Sequence, residues 1–228
     1  ILNREEDAAE ILRAACHITD EDDTTLRSHF LSRRAHAAAA EGKAEEAYEH
    51  FESAIELAKD DADPYRITVL WMNYGNRARE FGDSGRTKVC YEQSLLVARQ
   101  YRIPWLISTL CLLYAALLAY MGQHTAAHEY LLEALSNDAQ VPVLDVEFVS
   151  IGIPIALQAQ DELALAKCAR LETLELTFQS GSPSVAGNVA VAFAQFYASR
   201  GRAQAARSLL HRALEKVHGV RDNFELMV

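Results

Sequence analysis

The chain has 228 residues, half of them hydrophobic, with a formal net charge of −10 and four cysteines. That is ample material for a buried core, and the acidic balance argues against a general nucleic-acid-binding surface. The cysteines (Cys16, Cys90, Cys111 and Cys168) lie far apart with no Cys-x-x-Cys pair, so they read as small core residues in a reduced, cytoplasmic setting.

Alanine and leucine dominate, glycine and proline are few, and alternating valine-rich runs are scarce, which predicts an all-α protein. The longest apolar run, 106–121, is interrupted by Ser108, Thr109, Tyr114 and Tyr120, and is too short and too polar to span a membrane. Taken in order, residues 1–19 place Ala8, Leu12 and Ala15 at helical spacing, as the second helix of a pair whose first helix is missing. An acidic loop follows over 20–25. Beyond it the chain repeats. Gly42, Gly82, Gly122 and Gly201 are separated by 40, 40 and 79 residues, which puts a missing turn at Gln160-Asp161. Pro64, Pro104, Pro142 and Pro183 keep a similar period, 40, 38 and 41 residues, in the complementary phase. Proline is favoured at the first position of a helix and glycine just past its end. Asp63 and Ser182, each before a proline, are expected N-caps. Each unit is therefore helix A, a turn, helix B and a short loop ending at proline, with repeats over about 24–63, 64–103, 104–141, 142–182 and 183–220. Gly152-Ile153-Pro154 predicts a bend in helix A of repeat four. Residues 221–228 read as the opening of another helix A. With apolar residues at both ends of the array, the chain is expected to be one repeat domain, 1–228, cut from a longer protein.

The stretch 71–82, Trp-Met-Asn-Tyr-Gly-Asn-Arg-Ala-Arg-Glu-Phe-Gly, resembles the first helix of a tetratricopeptide (TPR) repeat, with Ala78 in place of the usual tyrosine. Ala47, Phe51 and Ala54, then Ala127, Leu131 and Ala134, then Ala206, Leu210 and Ala213, match the small-large-small triplet of the second helix. The resemblance implies a right-handed superhelical solenoid of about five antiparallel helix pairs. A unit of about 40 residues exceeds the usual ~34. In that it is similar to the helical arrays of MalT-type and LuxR-type bacterial transcriptional regulators. The resemblance implies a non-catalytic module for protein interaction and effector sensing, with a stand-alone interaction scaffold as the alternative.

The chemistry-bearing motifs are sparse. There is no phosphate-binding loop, dinucleotide fingerprint or nucleophile elbow, so neither a catalytic site nor a cofactor is expected. His124 and His128 have a metal-compatible spacing, but two solvated histidines on an outer helix face explain them better than a site needing four ligands. The basic residues Arg200, Arg202, Arg207, Arg212, Lys216 and Arg221 read as a solvated face, or else as a docking surface for an acidic neighbour, including self-association with another copy. In TPR arrays the A helices line a concave groove. The positions this implies include His29, Ser32 and His36; Met72, Asn76 and Arg79; Thr109, Leu112, Ala116 and Tyr120; Phe148, Ile151, Ile155 and Gln158; and Asn188, Val191 and Gln195. Peptide-carboxylate-binding TPR domains place lysines, arginines and asparagines there. Asn73 and Asn76 match in part, and the lysines are missing. The expected partner is a protein, a peptide or a small effector held in this groove, centred on repeats two to four, with no nucleic acid and no membrane.

Overall fold

The structure, a computed structural model, describes residues 24–59, 63–137, 145–180 and 182–225, with side chains not described at 180 and from 217 on. The helix expected within 1–19, the acidic stretch 20–23 and Pro142 lie outside these residues. All described regular structure is helical: α1 (Thr24–Ala40), α2 (Ala44–Lys59), α3 (Pro64–Glu80), α4 (Ser84–Gln100), α5 (Pro104–Tyr120), α6 (His124–Ser136), α7 (Asp145–Glu147), a π-helical turn (Phe148–Gly152), α8 (Ile153–Gln158), α9 (Glu162–Cys168), α10 (Leu171–Ser180), α11 (Pro183–Ser199) and α12 (Ala203–Glu225). Two compact units divide the chain, Ile1–Leu110 and Cys111–Val228, with the boundary inside α5.

The period is written in the turns. Gly42, Gly82, Gly122 and Gly201 all have φ between 73° and 80°, and Gln160 takes the same left-handed role at φ 55°. In each turn the N–H of that residue reaches the carbonyl three back and the next N–H the carbonyl five back. Gly82 N to Arg79 O is 3.0 Å and Asp83 N to Ala78 O is 2.9 Å; Gln160 N to Leu157 O is 3.1 Å and Asp161 N to Ala156 O is 3.0 Å. These bonds satisfy the orphan carbonyls of the preceding helix and reverse the chain. Pro64, Pro104 and Pro183 open α3, α5 and α11. The expected caps form: Asp63 Oδ1 accepts from the N–H groups of Tyr65 and Arg66, and Ser182 Oγ from that of Val185.

In the first unit, α1 pairs with α2 and α3 with α4. Phe51 is stacked on Tyr74 at 5.3 Å, and Tyr74 on Trp71 at 6.1 Å. The Tyr74 hydroxyl donates to Glu52 Oε1 at 2.7 Å. Small residues set the approach of the two helices in each pair. Ala35 lies one period before Gly75, as Phe51 lies one period before Tyr91. Gly75 has no side chain because the Tyr91 ring occupies that space: a Cβ there would sit 2.7 Å from two of its carbons. Each pair is also strapped by a buried hydroxyl. Ser28 Oγ donates to Ala54 O at 2.8 Å in the first pair, and Ser94 Oγ to Thr68 O at 2.7 Å in the second.

In the second unit, the irregularity expected at Gly152–Pro154 takes the form of a π turn, 148–152, running directly into α8. π turns accommodate a missing backbone donor without ending the helix. Gly152 packs where a Cβ would be 2.5 Å from Cys168 Sγ. Helix B of repeat four is broken at Ala169-Arg170 into α9 and α10, which the sequence does not announce. The break lays Arg170 over the Phe148 ring, 4.5 Å from its centroid, and pairs it with Asp145. The expected start of a new helix at 221 is corrected: α12 continues unbroken to Glu225. Cys90, Cys111 and Cys168 are buried free thiols, and burial pushes the Cys90 pKa up to about 12.

Candidate functional site

The first unit contains a cleft of about 460 Å³ between the A helices of its two repeats. One wall is α1. His29, Ser32, Arg33 and His36, at spacings of three and four, share one face of that helix. The other wall is the first half of α3, with Tyr65, Arg66, Val69 and Asn73. Buried Ser28 and Leu70 form the floor. Asp63 sits at the mouth and is committed to capping α3, with Oδ2 4.0 Å from Arg66 Nε. Arg66 Nη1 also reaches Thr25 O across the cleft at 3.5 Å. Tyr65 is 47% exposed at the rim, its ring 5.9 Å from that of Trp105.

His36 ties the two walls together. Its Nδ1 accepts a hydrogen bond from Arg77 Nε on α3 at 3.2 Å, and its ring lies edge-on to Phe51 at 5.3 Å. Burial lowers the pKa of His36 below the usual histidine value, with Arg77 and Arg33 acting in the same sense and Glu80 opposing. Arg77 is anchored by Glu80 at 2.6 Å.

Of the residues expected to line a groove, the structure brings His29, Ser32 and His36 together in this cleft. Met72 and Asn76 lie half-buried further along α3, where Asn76 Oδ1 accepts from the Tyr91 hydroxyl at 2.7 Å; Arg79 is exposed near the end of that helix. Thr109 bonds back to the Trp105 carbonyl within α5. In the second unit Tyr120 is 83% exposed, Ile151 is half-buried, and Gln158, Asn188 and Gln195 are exposed. Phe148 is corrected: it is fully buried beneath Arg170 and presents no surface to a partner, and Leu112 and Ile155 are buried as well. Tyr65, Arg66, Val69 and Asn73 are wall residues that counting back from the glycine turns did not select. The spacings 65, 69, 73 and 66, 69, 73 on a helix begun by Pro64 are the signal that finds them.

Several of the remaining sequence candidates have structural partners. His128 is half-buried and joins Asp161 Oδ2 at 2.9 Å, so it is not the solvated residue expected; Asp161 also caps α9 through Leu163 and Ala164. Three of the six basic C-terminal residues have partners within the chain. Arg200 pairs with Glu162, Arg212 makes two 3.0 Å bonds to Glu175, and Lys216 donates to the Thr177 and Phe178 carbonyls at the end of α10. That last contact places a cation at the negative end of a helix. Among the described residues, no group of three or more His, Cys, Asp or Glu side chains is arranged to hold a metal ion, and no helix is long and apolar enough to cross a membrane.

Comparison with solved structures decides the fold. BtubC (BKLC) from P. vanneervenii superposes with a TM-score of 0.72 at 15% identity, over 96% of this chain and 90% of that one. The apo form of RapI matches with a TM-score of 0.67 at 10% identity, over 96% and 72% of the two chains. The chain has a TPR-like helical-repeat fold. Aspartyl phosphate phosphatase F from Bacillus subtilis matches more distantly, with a TM-score of 0.53 at 13% identity over 85% of this chain and 60% of that one. At these identities the likeness shows the fold alone. No family model and no curated protein matches the sequence.

Proposed function

We propose that this chain is a non-catalytic binding module, and that the cleft between α1 and α3 is where a protein or peptide partner docks. The observation that carries this reading is the make-up of the cleft. Its volume lies in the range of ligand pockets, and its walls mix imidazole, guanidinium, amide, hydroxyl and apolar groups within one short span. Helix packing alone needs no such mixture. One structural neighbour carries the name of a phosphatase, but that likeness reaches only the fold. The test is a peptide-array or pull-down screen with the full chain, repeated on Val69→Trp, which fills the cleft from one wall. Partners retained equally by both proteins would place binding elsewhere.

The wider setting we propose is a cytoplasmic bacterial regulator of the LuxR or MalT type, with this array as its interaction and effector-sensing region. The support is the repeat of about 40 residues with A helices of 17 residues, roughly a turn longer than the usual TPR unit. A phosphate-binding loop encoded upstream and a helix-turn-helix downstream are expected. A stand-alone scaffold is the second reading. It is favoured by BtubC, in which an array of this extent makes up nine-tenths of a solved chain.

A further inference from the structure

We propose that the cleft is an anion site for a peptide segment bearing glutamate or aspartate side chains, and that its occupation draws a proton onto His36. The inference rests on the reading of the chain as a binding module. It begins from charge. Arg33 on α1 and Arg66 on α3 line the space from its two walls, and Asp63 is the single carboxylate among the lining residues. In a chain of net charge −10 this is a local positive surplus. Asp63 already accepts the first N–H groups of α3, and Arg33 makes no ion pair among the described residues.

The proton coupling follows from the wiring of His36. Because Nδ1 accepts from Arg77, the neutral ring carries its proton on Nε2. The charged groups facing it are Arg33 from its own helix, and Arg77 and Glu80 from α3; α2 contributes the Phe51 ring. Burial, then the Arg77 and Arg33 cations, disfavour the charged imidazole. A carboxylate in the cleft reverses that balance and favours protonation at Nδ1. The new Nδ1–H then confronts the Arg77 N–H, so the bond joining the two walls is given up while Arg77 keeps Glu80. Linkage requires the converse: if the anion raises the proton affinity of His36, protons raise the affinity for the anion by the same factor.

The experiment uses the full chain and two blocked peptides, one of alternating glutamate and alanine and the other with glutamine in place of glutamate, titrated by calorimetry in two buffers of different ionisation enthalpy. The glutamate peptide is expected to bind about tenfold more tightly at about pH 6 than at about pH 7.5, with net proton uptake. Arg33→Gln weakens it at both pH values. His36→Gln, whose amide oxygen still accepts from Arg77, loses the tighter binding at about pH 6, falling towards the affinity at about pH 7.5, together with most of the proton uptake; any residual uptake belongs to His29 and the peptide. Equal binding of the two peptides, abolished by Val69→Trp, overturns the anion site while leaving the binding module intact. Proton uptake unchanged in His36→Gln overturns the coupling. Binding of neither peptide at either pH also overturns the anion site, and the binding module then stands or falls on the array screen.

Discussion

Gly75→Ala isolates what holds a helix pair together. The added methyl would lie 2.7 Å from Cδ1 and Cε1 of Tyr91 and 3.1 Å from Cys90 Cβ. Carbon atoms at ease sit about 3.5–4.0 Å apart, so α3 and α4 must part by about 1 Å or the ring must turn. The ring is fully buried and its hydroxyl is held by Asn76, so neither adjustment is free. Overpacking of this kind costs about 1–3 kcal/mol, and loss of the Tyr91–Asn76 bond adds about 1. Replacing glycine by alanine within a helix returns up to about 1 kcal/mol. The net expectation is a loss of about 1–3 kcal/mol, seen as a melting shift of roughly 2–4 °C per kcal/mol. Gly187→Ala is the control. It too lies inside an A helix, but a Cβ there meets nothing within 4 Å, so it should raise stability by about 0.5–1 kcal/mol. Thermal and urea melts of both variants, with hydrogen exchange to locate the loosened helices, check the pair. Equal effects in the two variants would refute close approach as the reason for Gly75.

Gln160→Gly should stabilise the fourth turn by about 1 kcal/mol in urea melts, because Gln160 holds φ 55° where a Cβ is costly. Phe148→Ala should cost about 3–5 kcal/mol, whereas Tyr120→Ala should stay within about 0.5 kcal/mol of the parent, since one ring is fully buried and the other 83% exposed. Burial, with Arg77 and Arg33 for His36 and Arg34 for His50, lowers both pKa values below 6.5. The unfolded chain therefore binds more protons between the folded values and 6.5, so their contribution is fully present above 6.5 and declines as pH falls below it. Urea midpoints that rise on acidification from about pH 7 to pH 5.5 would contradict this, and His36→Gln should flatten the slope.

Most of the fold was legible because two unrelated residue types mark it in opposite phase. Glycine supplies the left-handed step out of each A helix and proline opens the next one, and both requirements are local. Even the turn without glycine was placed at Gln160 by counting alone. The break at Ala169-Arg170 was not legible, because nothing in Cys-Ala-Arg favours it; the position of Phe148 and Asp145 decides it through Arg170, and that is tertiary. The site was half legible. His29 and His36 follow from helical phase. Tyr65, Arg66 and Val69 were missed because the count ran from the glycine end of α3 while the cleft engages its proline end; Asn73 came in only through the resemblance to peptide-carboxylate-binding TPR domains. Within the charge run at the other end of the chain, the pairing of Arg200 and Arg212 was not legible for a simple reason: their partners, Glu162 and Glu175, lie a whole repeat earlier.

The buried hydroxyl straps bear on how such a chain is assembled from copies. Ser28 and Thr68 are one period apart, as are Ala54 and Ser94, so the two bonds join equivalent positions with donor and acceptor exchanged between helices. Each bond is closed inside its own pair. A whole pair moved to another place in the array carries its donor with it. A crossover between helix A of the second repeat and helix B of the first sets Thr68 against Ala54, and the Thr68 hydroxyl is already bonded to Pro64 O at 2.7 Å. That hybrid has no strap unless the threonine gives up its own bond. The unit that recombines intact is therefore the helix pair read from proline to proline: chimeras spliced in the loops before Pro64 and Pro104 should keep their straps, whereas a splice at the glycine turns that joins helix A of the second repeat to helix B of the first should lose about 1 kcal/mol, and the reciprocal hybrid, with Ser28 facing Ser94, should not.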